Sequence, residues 1–184
     1  MAVVRETGRP ARDPGSGLTA NATTRRWPLA ATAAVFLSSL ATGWSLGPLL
    51  SLDTSQIIHV PFTGTALHNL RVIFLIVLGG FLLGIPSLTI AFWNGMQAGM
   101  LLSALEPRFW PSLAIHGAPE LAGQFVATLA SLGLGRGLFR RVVHEEPVEW
   151  RPVLKQSLIA VLLTVAAAGI ESRITPIIAT GVQG

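Results

Sequence analysis

The sequence predicts an all-α fold: a polytopic transmembrane helical bundle of about five spans with a cytoplasmic N-terminus. Three observations lead there. Only 12% of the 184 residues are charged and 51% are hydrophobic, with a mean hydropathy of +0.59; a soluble domain carries roughly a quarter charged residues. The apolar residues gather in five segments, each near the roughly 20 residues that cross the hydrocarbon layer as a helix. No segment alternates in the manner of a membrane β-strand, and lipid offers backbone groups no partner outside a helix or a closed barrel.

Residues 1–26 hold Arg5, Arg9, Arg12, Arg25 and Arg26 among Pro, Gly, Ser and Thr, without hydrophobic period. They read as a disordered basic cytoplasmic tail. A transmembrane helical domain is expected over 27–178 and a short outer tail over 179–184. The five spans fall at about 27–46, 66–84, 85–105, 111–134 and 154–170. A signal peptide ending near Ala41 competes for the first, but the apolar stretch continues to Leu50, which favours a retained helix. The second and third spans meet at Gly84-Ile85-Pro86, too tight for anything but an antiparallel helical hairpin.

Loop charges set the orientation. The five Arg of the tail and the five basic residues of 136–155 (Arg136, Arg140, Arg141, Arg151, Lys155) fall on one side, and Arg108 and Arg173 on the other. Basic loops stay inside, which predicts N-terminus in and C-terminus out. The net charge of +4 therefore reflects topology, and no nucleic-acid partner is expected. The chain has no cysteine, which removes disulfides and thiolate chemistry. It also lacks a Walker A loop, a nucleotide fingerprint and a nucleophile elbow.

Small residues recur every four positions: Gly80 and Gly84 in the second span; Ala91, Gly95, Gly99 and Ser103 in the third; Gly123 and Ala127 in the fourth. Such faces allow close helix approach in lipid. Packing within the chain is the first reading, and a homo-oligomer is the second.

Polar residues break the apolar pattern in one half of the membrane. In the fourth span His116, Glu120, Gln124 and Thr128 recur at i, i+4, i+8 and i+12, one stripe on one helix face. With this topology His116 lies roughly 6–8 Å and Glu120 roughly 12–14 Å below the outer surface, at about 1.5 Å per residue. The second span brings His68, Asn69 and Arg71 to the same half, the third brings Asn94, and the fifth ends at Glu171 and Arg173. Ionisable groups at such depth face protein or water. Three readings compete: a network that satisfies itself, for example Arg71 with Glu171; a binding or gating site open to the outside; and a metal site of His68, His116, Glu120 and Glu171. His and Glu four apart can bind Zn²⁺, which could activate water for hydrolysis, although the H-E-x-x-H arrangement is absent. No resident cofactor is expected, with zinc as the alternative.

His68-Asn69, Phe92-Trp-Asn-Gly95 with Gly99, His116-Gly-Ala-Pro-Glu-Leu121, Gly133-Leu-Gly-Arg-Gly137 and Ile170-Glu171 with Thr175-Pro176 follow one another in this order. Over about residues 68–178 this resembles the stage II sporulation protein M family. The resemblance implies a small polytopic inner-membrane protein, with the family's motif positions on Asn69, Asn94, Gly95, His116, Glu120 and Glu171. It implies partners such as a peptidoglycan hydrolase during spore engulfment, or a role in bacteriocin maturation, export or immunity beside an ABC-type ATPase.

Two function classes follow. The first is a non-enzymatic membrane subunit, a scaffold or part of a peptide export, maturation or cell-envelope remodelling machinery. Its best surface for a soluble partner such as an ATPase is 136–155, basic at Arg136, Arg140 and Arg141 and acidic at Glu145, Glu146 and Glu149. The second is a membrane-embedded metal-dependent peptidase or peptide ligase, with His116 and Glu120 as the catalytic candidates.

Overall fold

A computed structural model describes residues 16–49 and 62–173. Five α-helices follow in order: α1 (Ser16–Leu46), α2 (Phe62–Leu78), α3 (Ile85–Ala104), α4 (Trp110–His144) and α5 (Trp150–Arg173), with no strand among the described residues. The all-α bundle expected from the sequence is the fold. The expected features at 1–15, 50–61 and 174–184, the end of the family pattern and the outer tail included, lie outside the described residues.

Two boundaries differ from the sequence reading. α1 begins at Ser16, so 16–26, read as tail, is helical; once an apolar helix is nucleated, each added residue gains a backbone hydrogen bond at little further entropy cost. α4 runs to His144, so most of the basic stretch read as a loop is helix and only 145–149 connects to α5. At 35 residues α4 is about 52 Å long, well beyond the hydrocarbon thickness. Glu145 ends it in the left-handed region at φ 57°, and Arg140 forms an ion pair with Glu146.

The α2–α3 hairpin forms as expected. α2 tightens into a 3-10 turn at Gly79–Leu82. Leu83 and Gly84 then take positive φ (59° and 81°), and α3 starts with Pro86 in its first turn, where a missing N–H costs nothing. Glycine at 84 removes the Cβ penalty of that conformation. Beneath the turn, the Ser87 hydroxyl donates to the Ile76 carbonyl (2.6 Å) and lies 2.5 Å from the Ser131 hydroxyl of α4. Both serines are fully buried. Ser87→Ala should cost about 1–3 kcal/mol because it strands the Ser131 hydroxyl and a helix-end carbonyl; Ser87→Ala with Ser131→Ala should cost less than the sum of the singles. Unfolding in mixed micelles checks both, and simple additivity would show that the serines are not coupled.

α3 leaves the hairpin to pack mainly on α1, and α4 packs mainly on α5, with α2 against α4 and α5. The small face of α3 serves packing within the chain, meeting a matching face of α1: Gly95 lies on Ser39, Gly99 on the backbone of Leu40 and Trp44, Gly43 on the backbone of Met96 and Met100, and Gly47 on Ser103. α1 and α3 therefore run parallel. Gly123 lies on Ala160 and Thr164, and Gly80 on Ser131 and Leu134. These contacts make helix direction alternate along the chain, as a serial crossing of one layer requires. The core is small-grained, with Ile73 and Ile76 of α2 against Ala127 and Ala160.

Large apolar residues cover the outside instead. Phe74, Leu75, Phe81 and Leu82 of α2, with Leu154, Leu158 and Leu162 of α5, are all exposed, far more apolar surface than a soluble monomer shows. Three segments, Arg26–Leu49, Phe62–Leu82 and Trp150–Arg173, are long and apolar enough to cross a membrane. Four of the five exposed tryptophans sit near the ends, Trp27 and Trp150 at one and Trp44 and Trp110 at the other, while Trp93 lies mid-way along α3; Trp44 and Trp110 are in edge contact at 5.9 Å. Tryptophan prefers these two interfaces, and Trp27 and Trp44 are about 26 Å apart along the helix. α3 and α4 do not qualify as spans by hydropathy, and their polar residues explain why.

Candidate functional site: a groove between α3 and α4

Because α3 turns to α1 and α4 to α5, these consecutive helices diverge. The gap between them is a half-open cavity of about 370 Å³, bounded on α3 by Asn94, Gln97, Ala98, Leu101 and Leu102, and on α4 by Leu113, His116, Glu120, Leu121 and Gln124 with the small residues Ala114, Gly117 and Ala118. The α3 residues step at i, i+3, i+4, i+7 and i+8, one face of a helix. Its walls are apolar along most of their length, and the polar groups gather on Asn94, Gln97, His116, Glu120 and Gln124.

The α4 stripe links itself along the helix. Gln124 Nε2 donates to Glu120 Oε1 at 3.2 Å, and Thr128 Oγ1 donates to the Gln124 carbonyl at 2.8 Å. Asn94 turns its amide back to the Ile90 carbonyl at 2.9 Å. Gln124 is only 3% exposed, yet its Oε1 has no hydrogen-bond partner. Leaving such an acceptor unpaired costs about 1–3 kcal/mol. Glu171, in the last turn of α5, lies close enough to Glu120 for the two charges to interact.

The expected cluster is thus only partly assembled. Asn94, His116, Glu120 and Gln124 share the groove, with Glu171 beside it. His68, Arg71 and Arg173 are exposed, and Asn69 is buried in α2 apart from the groove lining. The suggested Arg71–Glu171 ion pair does not form; Arg108 pairs with Glu106 and Arg140 with Glu146. Nor do three His, Asp or Glu side chains come together to hold a metal ion among the described residues. The reason is helix rotation: His68 and Arg71 lie on the face of α2 opposite Asn69, Ile73 and Ile76, which point into the bundle. Gln97 and the small lip Ala114, Gly117 and Ala118 were missed. The i, i+3 spacing of Asn94 and Gln97 was the available signal, as was Ala114-x-x-x-Ala118.

A second cavity, of about 640 Å³, lies at the opposite end of α4, between Pro28 and Leu29 of α1, Arg136 and Arg140 of α4, Glu146 and Glu149 of the connection and Val153 of α5. It sits within the stretch expected to face a soluble partner, but acidic and basic groups alternate around it, and Arg140 is already paired with Glu146.

Alternating helices, a lipid-facing apolar surface and a polar-floored groove inside the bundle define a polytopic helical membrane protein. The sequence profile described as Stage II sporulation protein M matches residues 31–176, and the chain belongs to that family. It is also 30% identical to an uncharacterized protein of Methanocaldococcus jannaschii over 134 residues, covering 67% of this chain and 75% of that protein. No solved structure matches the chain significantly.

Proposed function

We infer that this protein is a non-enzymatic, five-pass subunit of a bacterial inner-membrane complex that handles peptide export or maturation or remodels the cell envelope. The groove between α3 and α4 is where another component docks, in the outer half of the membrane. The observation that carries this reading is the groove itself: a cleft between two helices, edged by small residues and ending on polar groups, of which the buried Gln124 has an acceptor to spare. Lipid tails satisfy none of that capacity. The family membership supports a role beside partner proteins, and among the described residues no three metal-ligating side chains gather to support the metallo-peptidase alternative.

Photo-crosslinking in the native host tests the reading. A probe at Ala118, on the groove lip, should give one discrete protein adduct, whereas a probe at Leu162, on the exposed face of α5, should give lipid adducts only. Protein adducts from neither position, or equally from both, would overturn it. The topology is checked separately by reporter fusions. A reporter in 145–149 should read cytoplasmic and one after Gly184 should read outside; a cytoplasmic signal from the latter contradicts five passes.

A further inference from the structure

Apart from His116, the ionisable groups at the groove are acidic. Glu120 lines it, Glu171 lies close enough to interact with Glu120, and Gln124 adds a buried acceptor without a donor. No lysine or arginine lines the cavity, and none pairs with either carboxylate among the described residues. Arg71 and Arg173, the nearest basic residues along the helices, are exposed instead. A carboxylate in hydrocarbon costs a few kcal/mol without a counter-charge, and its remaining lone pairs call for donors.

The shape is equally selective. The groove follows about 12 Å of α3 and about 16 Å of α4, counted at 1.5 Å per residue. On the α4 side Ala114 and Ala118 are exposed, and a Cβ on Gly117 would meet nothing within 4 Å. Other small faces are sealed by a neighbouring helix, Gly95 and Gly99 by α1 and Gly123 by α5, whereas Gly133 and Gly169 are open like Gly117. What sets the lip of the groove apart is that its open face borders the polar groups of α4, and it fits a helix laid in from the membrane.

We propose that the α3–α4 groove binds a membrane-spanning helix of a partner protein that carries a lysine in the outer half of the bilayer. The lysine stem lies along the apolar walls formed by Leu101 and Leu121, and its ammonium donates to Glu120 and to the vacant Oε1 of Gln124. The ammonium's three donors can serve the vacant Gln124 Oε1 and the Glu120 carboxylate, whose Oε1 already accepts from Gln124 Nε2. An arginine is the bulkier variant of the same recognition; an acidic helix is excluded by charge. This rests on the docking role proposed above and adds the chemistry of what docks.

The test uses the full chain in phosphatidylcholine vesicles with labelled Leu/Ala-rich transmembrane peptides that differ at one outer-half position: lysine, norleucine or glutamate. Association is read by energy transfer. The lysine peptide should bind about tenfold more tightly than the norleucine peptide, equivalent to about 1.4 kcal/mol, and the glutamate peptide more weakly than either. Glu120→Gln should bring lysine binding down to the level of the norleucine peptide on the same variant. Glu171→Gln, at the bundle edge, gives a second variant and should reduce the same preference in part. Equal binding of the lysine and norleucine peptides overturns the charge recognition while leaving the docking groove standing. A lysine preference that survives both substitutions overturns the assignment to these carboxylates. Loss of the Ala118 crosslink in cells with an intact lysine preference would instead remove the subunit role and keep the chemistry.

Discussion

Gly99→Leu and Gly43→Leu should each prevent the bundle from forming, with folded yield falling to near zero. A Cβ at Gly43 would fall 2.8 Å from the Met100 nitrogen, and one at Gly99 would fall 2.9 Å from the Trp44 nitrogen. Both are contacts with helix backbone, which cannot rotate aside. Overpacking a core with movable side chains costs about 1–3 kcal/mol; separating two helix backbones removes every contact along the α1–α3 interface and costs more. Since helix association in lipid depends on that close packing, α1 should detach. Protease accessibility of α1 and the monodisperse yield in detergent measure the effect. Normal yield for both variants would show that α1 and α3 do not meet.

Gly117→Leu should do the opposite: fold as well as the parent or better, and lose partner binding. Its position in α4 is interior to the helix, where leucine is favoured over glycine by about 1 kcal/mol. A Cβ there meets nothing within 4 Å, and the rest of the side chain extends into the open groove. The space it enters is the groove, and a docked helix would have to vacate it. A thermal unfolding midpoint at or above the parental value, together with loss of the Ala118 crosslink, is the expected result. An unchanged crosslink would move the docking surface off the groove. The contrast with Gly99 separates the two uses of small residues in one chain: a face already closed, and a face kept open.

Much of the candidate site was legible beforehand. The i, i+4, i+8 run of His116, Glu120 and Gln124 fixes a stripe on any helix, and the stripe lines the groove. Asn94, expected near the middle of its helix, lines the same groove. His68 and Arg71 were expected to join the cluster and do not, because position along a helix follows from residue count while facing follows from rotation. The buried positions of α2 are Thr65, Ala66, Asn69, Ile73 and Ile76, a period set by what packs against it. Nothing in the sequence marks Ser87 and Ser131 as a pair, since a hydrogen bond across 44 residues of chain leaves no local pattern.

Composition and periodicity by themselves determined that this protein is helical, that its apolar segments suit a membrane, that α2 and α3 turn back on each other, and that polar groups crowd one half of the bundle. Each of those properties is local: hydrocarbon demands internally paired backbone, about twenty residues cross it, and Gly84 with Pro86 permits one tight reversal. Only the tertiary structure decided which helices are neighbours. Nothing nearby in the chain tells α3 to prefer α1 over α4, since that choice depends on Ser39, Gly43 and Gly47 matching Gly95, Gly99 and Ser103 across more than fifty residues. The groove is the consequence: it exists where two sequential helices each found a better-fitting partner elsewhere, and the polar stripe of α4 faces the space that choice left open.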